Sequence, residues 1–211
     1  MRIAIIGSKA FDSLEYHLHD TLKVMGHDIF HIDLDDIIPV PLRYNQLFRL
    51  LSKKYDELIF NRLADKVVEA SPELVIATYR FIHPLCIKKI KYNLKGAKII
   101  HINPDTITTL DVQQIFFFFF YAWCTKDPFI VNFMKNKMKL NTHYFPEALN
   151  PRIHKPYEGD RTENEKKVNI DVVSFGSMYP YRQRMLEQVI NNGINLSIFG
   201  VPNKRFFNPL I

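Results

Sequence analysis

The 211-residue sequence has only two cysteines, Cys86 and Cys124, each inside an apolar segment and without metal-type spacing. That argues against a disulfide framework or a cysteine-ligated metal, and predicts two reduced core thiols in a cytoplasmic protein. Glycine is scarce as well, with seven residues, and the first turn reads Ile6-Gly7-Ser8-Lys9. It lacks the further glycines of a dinucleotide fingerprint, so no nicotinamide or flavin cofactor is expected. The same turn has no acidic cluster, and the third apolar run ends in Thr78-Tyr79-Arg80 rather than an aspartate, which argues against a receiver domain. No apolar stretch reaches the ~20 residues that span a bilayer. Met1-Arg2 passes straight into Ile3, so no secretory leader is expected.

What is present is a chain with 47% apolar and 24% charged residues, the balance of a soluble globular protein. Its length suits one good-sized core and part of a second, given roughly 100–150 residues per domain. A net charge of +6 and a pI near 9.2 favour anionic partners. The basic residues are dispersed (Lys53-Lys54, Lys88 to Lys91, Lys135 to Lys139, Lys166-Lys167), as on solvated helix faces, and nucleic acid is not an expected partner.

Strand-like and helical runs alternate. Strands are predicted at 3–6, 29–32, 74–78, 98–102, 122–125 and 142–145. Between them, Ser13 caps a predicted helix to Met25 with Leu14, Leu18 and Leu22 on one face, and Gly26 ends it. Further helices are predicted over 44–70 in two pieces, 83–94, the segment holding the phenylalanine run, and 128–137. This order predicts an α/β fold with a doubly wound, parallel, Rossmann-like sheet. Residues 1–150 are expected to form that domain, 151–168 a polar linker, and 169–211 an incomplete second Rossmann-like domain. The last part shows only one β-α-β: a strand to Phe175, Gly176-Ser177, a helix over 182–192, and a strand near 196–200.

Ligands of such sheets collect beyond the carboxyl ends of the strands. The candidates there are Gly7, Ser8, Tyr79, Arg80, Asn103, Asp105, Lys126 and Glu147. No metal is expected: His17 and His19 stand about 200° apart on a helix and cannot share an ion. His83 and His101 lie near strand ends and suit polar contacts or acid–base work, with a satisfied structural histidine as the equal alternative. Asp33, Asp35 and Asp36 read as caps or solvated acids. Phe116 to Phe120 reads as core or interdomain packing, with membrane-surface contact as the alternative.

Three segments in order carry a resemblance: Phe11-Asp12-Ser13-Leu14-Glu15-Tyr16-His17; Thr125-Lys126-Asp127 with Tyr144-Phe145-Pro146-Glu147-Ala148-Leu149-Asn150-Pro151; and Asp171 through Phe175-Gly176-Ser177 to Arg182. Together they resemble the CgeB-like (spore maturation) glycosyltransferases, a GT-B group. The resemblance implies two Rossmann-like domains, the first for an acceptor and the second for a nucleotide-sugar co-substrate, with no metal cofactor. It implies a donor diphosphate held by Arg182, six places after Gly176, with Gly176 and Ser177 giving close backbone approach. His17, His83 and Glu147 all stand open as the catalytic base. The later donor domain of the family has no counterpart here, so the polypeptide is expected to have little transferase activity alone. The sugar, acceptor and stereochemistry are not given. A second reading is a non-catalytic α/β binding module completed by a partner chain, and a third is peripheral membrane contact.

Overall fold

In the computed structural model the structure describes residues 1–38, 48, 51–79, 81–103, 120–156, 158–176 and 178–200. The chain divides into two compact units, Met1–Ile153 and His154–Ile211.

The first unit runs β1 (Arg2–Ile6), α1 (Leu14–Val24), β2 (Asp28–Ile32), a 3-10 turn at Leu34–Asp36, α2 (Lys53–Ala70), β3 (Leu74–Ala77), α3 (Pro84–Asn93), β4 (Lys98–Asn103), β5 (Ala122–Thr125), α4 (Pro128–Asn136) and β6 (Thr142–Tyr144). The six strands form one parallel sheet in the order β2-β1-β3-β4-β5-β6. The doubly wound α/β fold read from the alternating pattern is the one observed.

Side-chain alternation along the strands divides the core. Ala4, Ile6, Val75, Ala77 and Ile99 face α2 and α3, meeting Phe60, Leu63, Val67, Cys86 and Ile90. Ile3, Ile5, Ile76, Ile102 and Cys124 face the other way, onto Leu14, Leu18 and Leu22 of α1. A strand covered on both faces has no polar side to show, which is why β1 reads as an unbroken apolar run. Burial raises the thiol pKa of both free cysteines.

Local signals set the helix ends. Ser13 Oγ accepts from Tyr16 N at 3.1 Å, Ser52 Oγ from Tyr55 N at 3.3 Å, and Asp127 Oδ1 from Phe129 N at 2.8 Å. Each satisfies a helix-terminal N–H that has no partner within its helix. The second piece of the predicted helical region 44–70 is seen as α2; residues 39–47, Arg80, the segment 104–119 for which a turn and a helix with Phe116 to Phe119 are predicted, and Ser177 lie outside the described residues. Phe120 is described, and it is buried against His101.

The second unit contains α5 (Arg161–Lys167), β7 (Val172–Phe175), α6 (Pro180–Asn191) and β8 (Leu196–Phe199), with β7 and β8 parallel. Part of the stretch read as linker is therefore helical. Asp160 caps α5 by accepting from Glu163 N at 3.0 Å, and Arg161 pairs with Glu165 one turn on. Asn150 and Arg152 bind Asp20 of α1, which carries the first unit on to Ile153 rather than 150. Among the described residues no helix is long and apolar enough to cross a membrane.

Candidate active site

Strand order places a topological switch between β1 and β3, whose neighbours are reached in opposite directions along the sheet. Ligand crevices of open α/β sheets form there. The register pairs Ile6 with Ala77, so Gly7 and Thr78 emerge side by side. Thr78 donates to Ile6 O at 3.1 Å, and its hydroxyl also reaches Glu15 Oε1 in the first turn of α1. Both side chains are buried. A Cβ on Gly7 would stand 2.2 Å from Glu15 Cγ and 2.4 Å from Thr78 Oγ1. The glycine thus makes room for a buried carboxyl group.

Glu15 stands in the first of the three resemblance segments and is not among the residues that the sequence pattern picks out for the site. A signal existed: on a helical wheel it lies about 100° from Leu14, at the edge of the α1 apolar stripe. What hid it is that its partner is 63 residues away.

The next layer braces the loops after β1, β2 and β3. Asp33 Oδ2 accepts from Lys9 N at 2.7 Å, and its Oδ1 accepts from Tyr79 Oη at 2.5 Å. Tyr79 Oη in turn accepts from Leu34 N at 3.1 Å. Burial, then the hydrogen bond to Asp33, keeps this phenol neutral by raising its pKa. Asp33 also forms a capping box with Asp36, so these two acids act as caps while Asp35 is exposed. Lys9 Nζ pairs with Asp36 at 2.7 Å. Ser8 shapes the same loop: its Oγ accepts from Ala10 N, and its carbonyl from Ser13 Oγ. Gly7, Ser8 and Tyr79 are therefore gathered at one strand-end cluster, with the Tyr79 hydroxyl committed to the brace.

At the far side of the sheet, Lys126 after β5 and Glu147 after β6 form an ion pair at 2.6 Å. Asn103 ends β4 and is buried beside Thr125. The three candidate bases stand on three different elements. His17 packs edge-on to Phe11 and Tyr16, His83 accepts from Leu85 N as the cap of α3, and Glu147 holds Lys126. Of the two readings of His101, the structure supports the structural one: the ring is enclosed. Burial lowers its pKa to about 4, its Nε2 meets Tyr79 O at 3.2 Å, and its ring lies parallel to Trp123. A neutral ring shut in the core cannot exchange protons with a ligand. Arg80 and Asp105 lie outside the described residues. Among the described residues no group of three or more His, Cys, Asp or Glu is arranged to hold a metal ion.

In the second unit, Gly176 follows β7 with φ +107°, a backbone that favours glycine. Arg182, in the first turn of α6, folds back and donates from Nη1 to Phe175 O at 3.3 Å. Its Nη1 would lie 3.0 Å from a Cβ on Gly176. Gly200 after β8 packs on the same loop, where a Cβ would meet Gly176 O at 2.4 Å. Pro180 opens α6, and the N-cap Tyr179 makes no side-chain cap bond. A guanidinium beside a helix amino terminus is a setting suited to an anion.

The sequence matches no protein-family model and no curated protein. Two solved structures share the architecture. A glycosyltransferase from Rickettsia africae ESF-5 aligns with a TM-score of 0.54 at 11% identity, over 97% of this chain and 69% of its own. UGT73P12 of Glycyrrhiza uralensis, complexed with glycyrrhetinic acid 3-O-monoglucuronide, aligns with a TM-score of 0.54 at 7% identity, over 96% of this chain and 57% of its own. The fold resembles the Rossmann-like domains of glycosyltransferases. At these identities the likeness is one of fold, and the chain spans little more than half of the second protein.

Proposed function

We propose that this chain supplies the acceptor-side domain and the first phosphate-facing loop of the donor-side domain of a GT-B glycosyltransferase, of the CgeB-like kind that its motifs resemble. The observation that carries the reading is the Arg182 guanidinium folded over the Gly176 loop at the amino terminus of α6. A nucleotide-sugar donor leaves as a nucleoside diphosphate. A fork of N–H donors beside a positive helix end is the chemistry that stabilises such a leaving group. In the first unit, the acceptor would lie at the β1–β3 switch, against Gly7, Ser8 and the Glu15–Thr78 pair. Lys126 and Glu147 would stand at its far end. Glu147 is the solvent-facing carboxylate among the three candidate bases, and His17 and His83 are held in ring and cap contacts.

The test is calorimetric titration of the chain with UDP, GDP and ADP, repeated with Arg182→Ala. Loss of one charge-assisted contact, on the order of 1.5–3 kcal/mol, weakens binding roughly tenfold to a hundredfold. Absence of binding for every nucleotide, or equal binding by the variant, would overturn the assignment.

A second reading is favoured by one observation. One face of the β7–β8 pair carries an exposed aromatic pair, Phe175 and Phe199, which are 71% and 52% exposed and stack on each other. A binding module completed by a partner chain would cover them. Light scattering and co-purification separate the readings: a monomer that binds nucleotide without a companion removes the second.

A further inference from the structure

The outer face of α4 has a feature that neither half of the proposed site uses. Ile130, Val131 and Met134 are buried, leaving Phe129 and Phe133, one turn apart, 73% and 42% exposed. The lysines that follow, Lys135, Lys137 and Lys139, are exposed. From 128 to 146 the sequence has those three lysines and no Asp, Glu or Arg. The ion pairs of the described residues engage none of the three. Asp127 caps α4 and Glu147 binds Lys126, so the acids on either side of this stretch are both engaged.

We propose that the Phe129–Phe133 face of α4, with Lys135, Lys137 and Lys139, docks on an anionic lipid surface. Aromatic side chains on a helix that lies in the interface enter the acyl boundary, and flanking lysines meet the head groups. Neither signal suffices by itself, and here the two occur within about three turns of chain. Lipid fits better than the other occupants. A second copy meeting this face about a two-fold axis would bring the same stretch, which has no Asp or Glu from 128 to 146 to pair with the lysines. Nucleic-acid channels use a groove lined by aromatics and favour the arginine fork, whereas this is a convex helix carrying lysine alone.

The experiment is co-sedimentation of the full chain with phosphatidylcholine vesicles, with and without phosphatidylserine. Binding is expected with phosphatidylserine and is expected to weaken with salt. Lys135→Gln/Lys137→Gln/Lys139→Gln, in which only exposed side chains change, lowers the partition coefficient by roughly fivefold per lysine. Phe129→Ser/Phe133→Ser lowers it on the order of tenfold or more. Lys53→Gln/Lys54→Gln, at the start of α2, leaves it unchanged. The proposal fails if the chain ignores phosphatidylserine, if the triple lysine variant binds like the parent, or if the Lys53/Lys54 variant loses as much. It also fails if a dimer seen by light scattering is split by Phe129→Ser. Loss of oligonucleotide binding by the triple variant, with vesicle binding kept, would overturn it in favour of nucleic acid.

Discussion

Asn150 donates from Nδ2 to Asp20 Oδ2 at 2.7 Å, joining the last turn of the first unit to α1 across 130 residues of sequence. Arg152 adds two donors to the same oxygen and one to Thr21. The hydrogen bond from Asn150 and then those from Arg152 hold the Asp20 carboxyl below its usual pKa. Asn150 Oδ1 also accepts from Arg152 N at 3.1 Å, so one buried amide both turns the chain and fastens it. The expected result for Asn150→Ala is a loss of about 1–2 kcal/mol in urea unfolding, through the unpaired groups left behind. Amide exchange at Arg152 and Ile153 should quicken more than at β1. Unchanged exchange there would show that the clasp does not hold this segment.

Gly7→Ala is expected to destabilise the first unit by about 2–4 kcal/mol, because the new methyl overlaps Glu15 and Thr78. Glu15→Ala removes the Glu15 part of the obstruction and leaves Thr78 Oγ1 at 2.4 Å, so the double variant should lose less than the sum of the two single variants. Strict additivity in urea midpoints would mean that the close approach is relieved elsewhere.

His101 makes stability depend on acid. Its pKa is about 4 in the fold against 6.5 when exposed, so the unfolded chain takes up a proton first. The contribution is complete above pH 6.5 and is lost as pH falls towards 4. By linkage it amounts to about 3 kcal/mol. His101→Phe should flatten the urea-midpoint profile across that window. A variant profile as steep as the parent's would assign the acid sensitivity to other groups, His31 among them, whose pKa burial also lowers.

Glu147→Gln offers a clean reading of one candidate base. Its pair with Lys126 is solvent-accessible, and such pairs contribute about 0–1 kcal/mol. Stability should barely move. If sugar transfer by an assembled enzyme fell on the order of a hundredfold in the same variant, the loss would belong to chemistry. Unchanged transfer would remove Glu147 as the base.

Gly176→Ala tests the proposed phosphate site from the backbone side. At φ +107° a side chain is strained wherever it points, and here it would also press on Arg182 Nη1. Nucleoside diphosphate affinity should fall together with the stability of the second unit. Arg182→Ala should spare that stability and reduce only the affinity. The two variants thus separate a damaged loop from a missing guanidinium.

The sequence by itself determined what local physics can settle. Alternation of apolar runs with capped helices led to the α/β class. Ser13 marked a helix start because an orphan N–H needs an acceptor within a few residues, and Gly176 marked a turn that only glycine makes easily; the caps at Ser52 and Asp127 obey the same local rule. The polar segment after Pro151 did not reveal α5, since a seven-residue helix held by one cap and one ion pair has no apolar period to read. Tertiary structure alone decided the rest. Strand order set Gly7 beside Thr78 and so gave Glu15 a buried partner; register brought Lys126 to Glu147; and sheet packing enclosed His101, which the sequence placed near a strand end. Each of these joins residues roughly 20 to 70 positions apart, and a chain pattern that repeats every two or 3.6 residues contains no information over that distance.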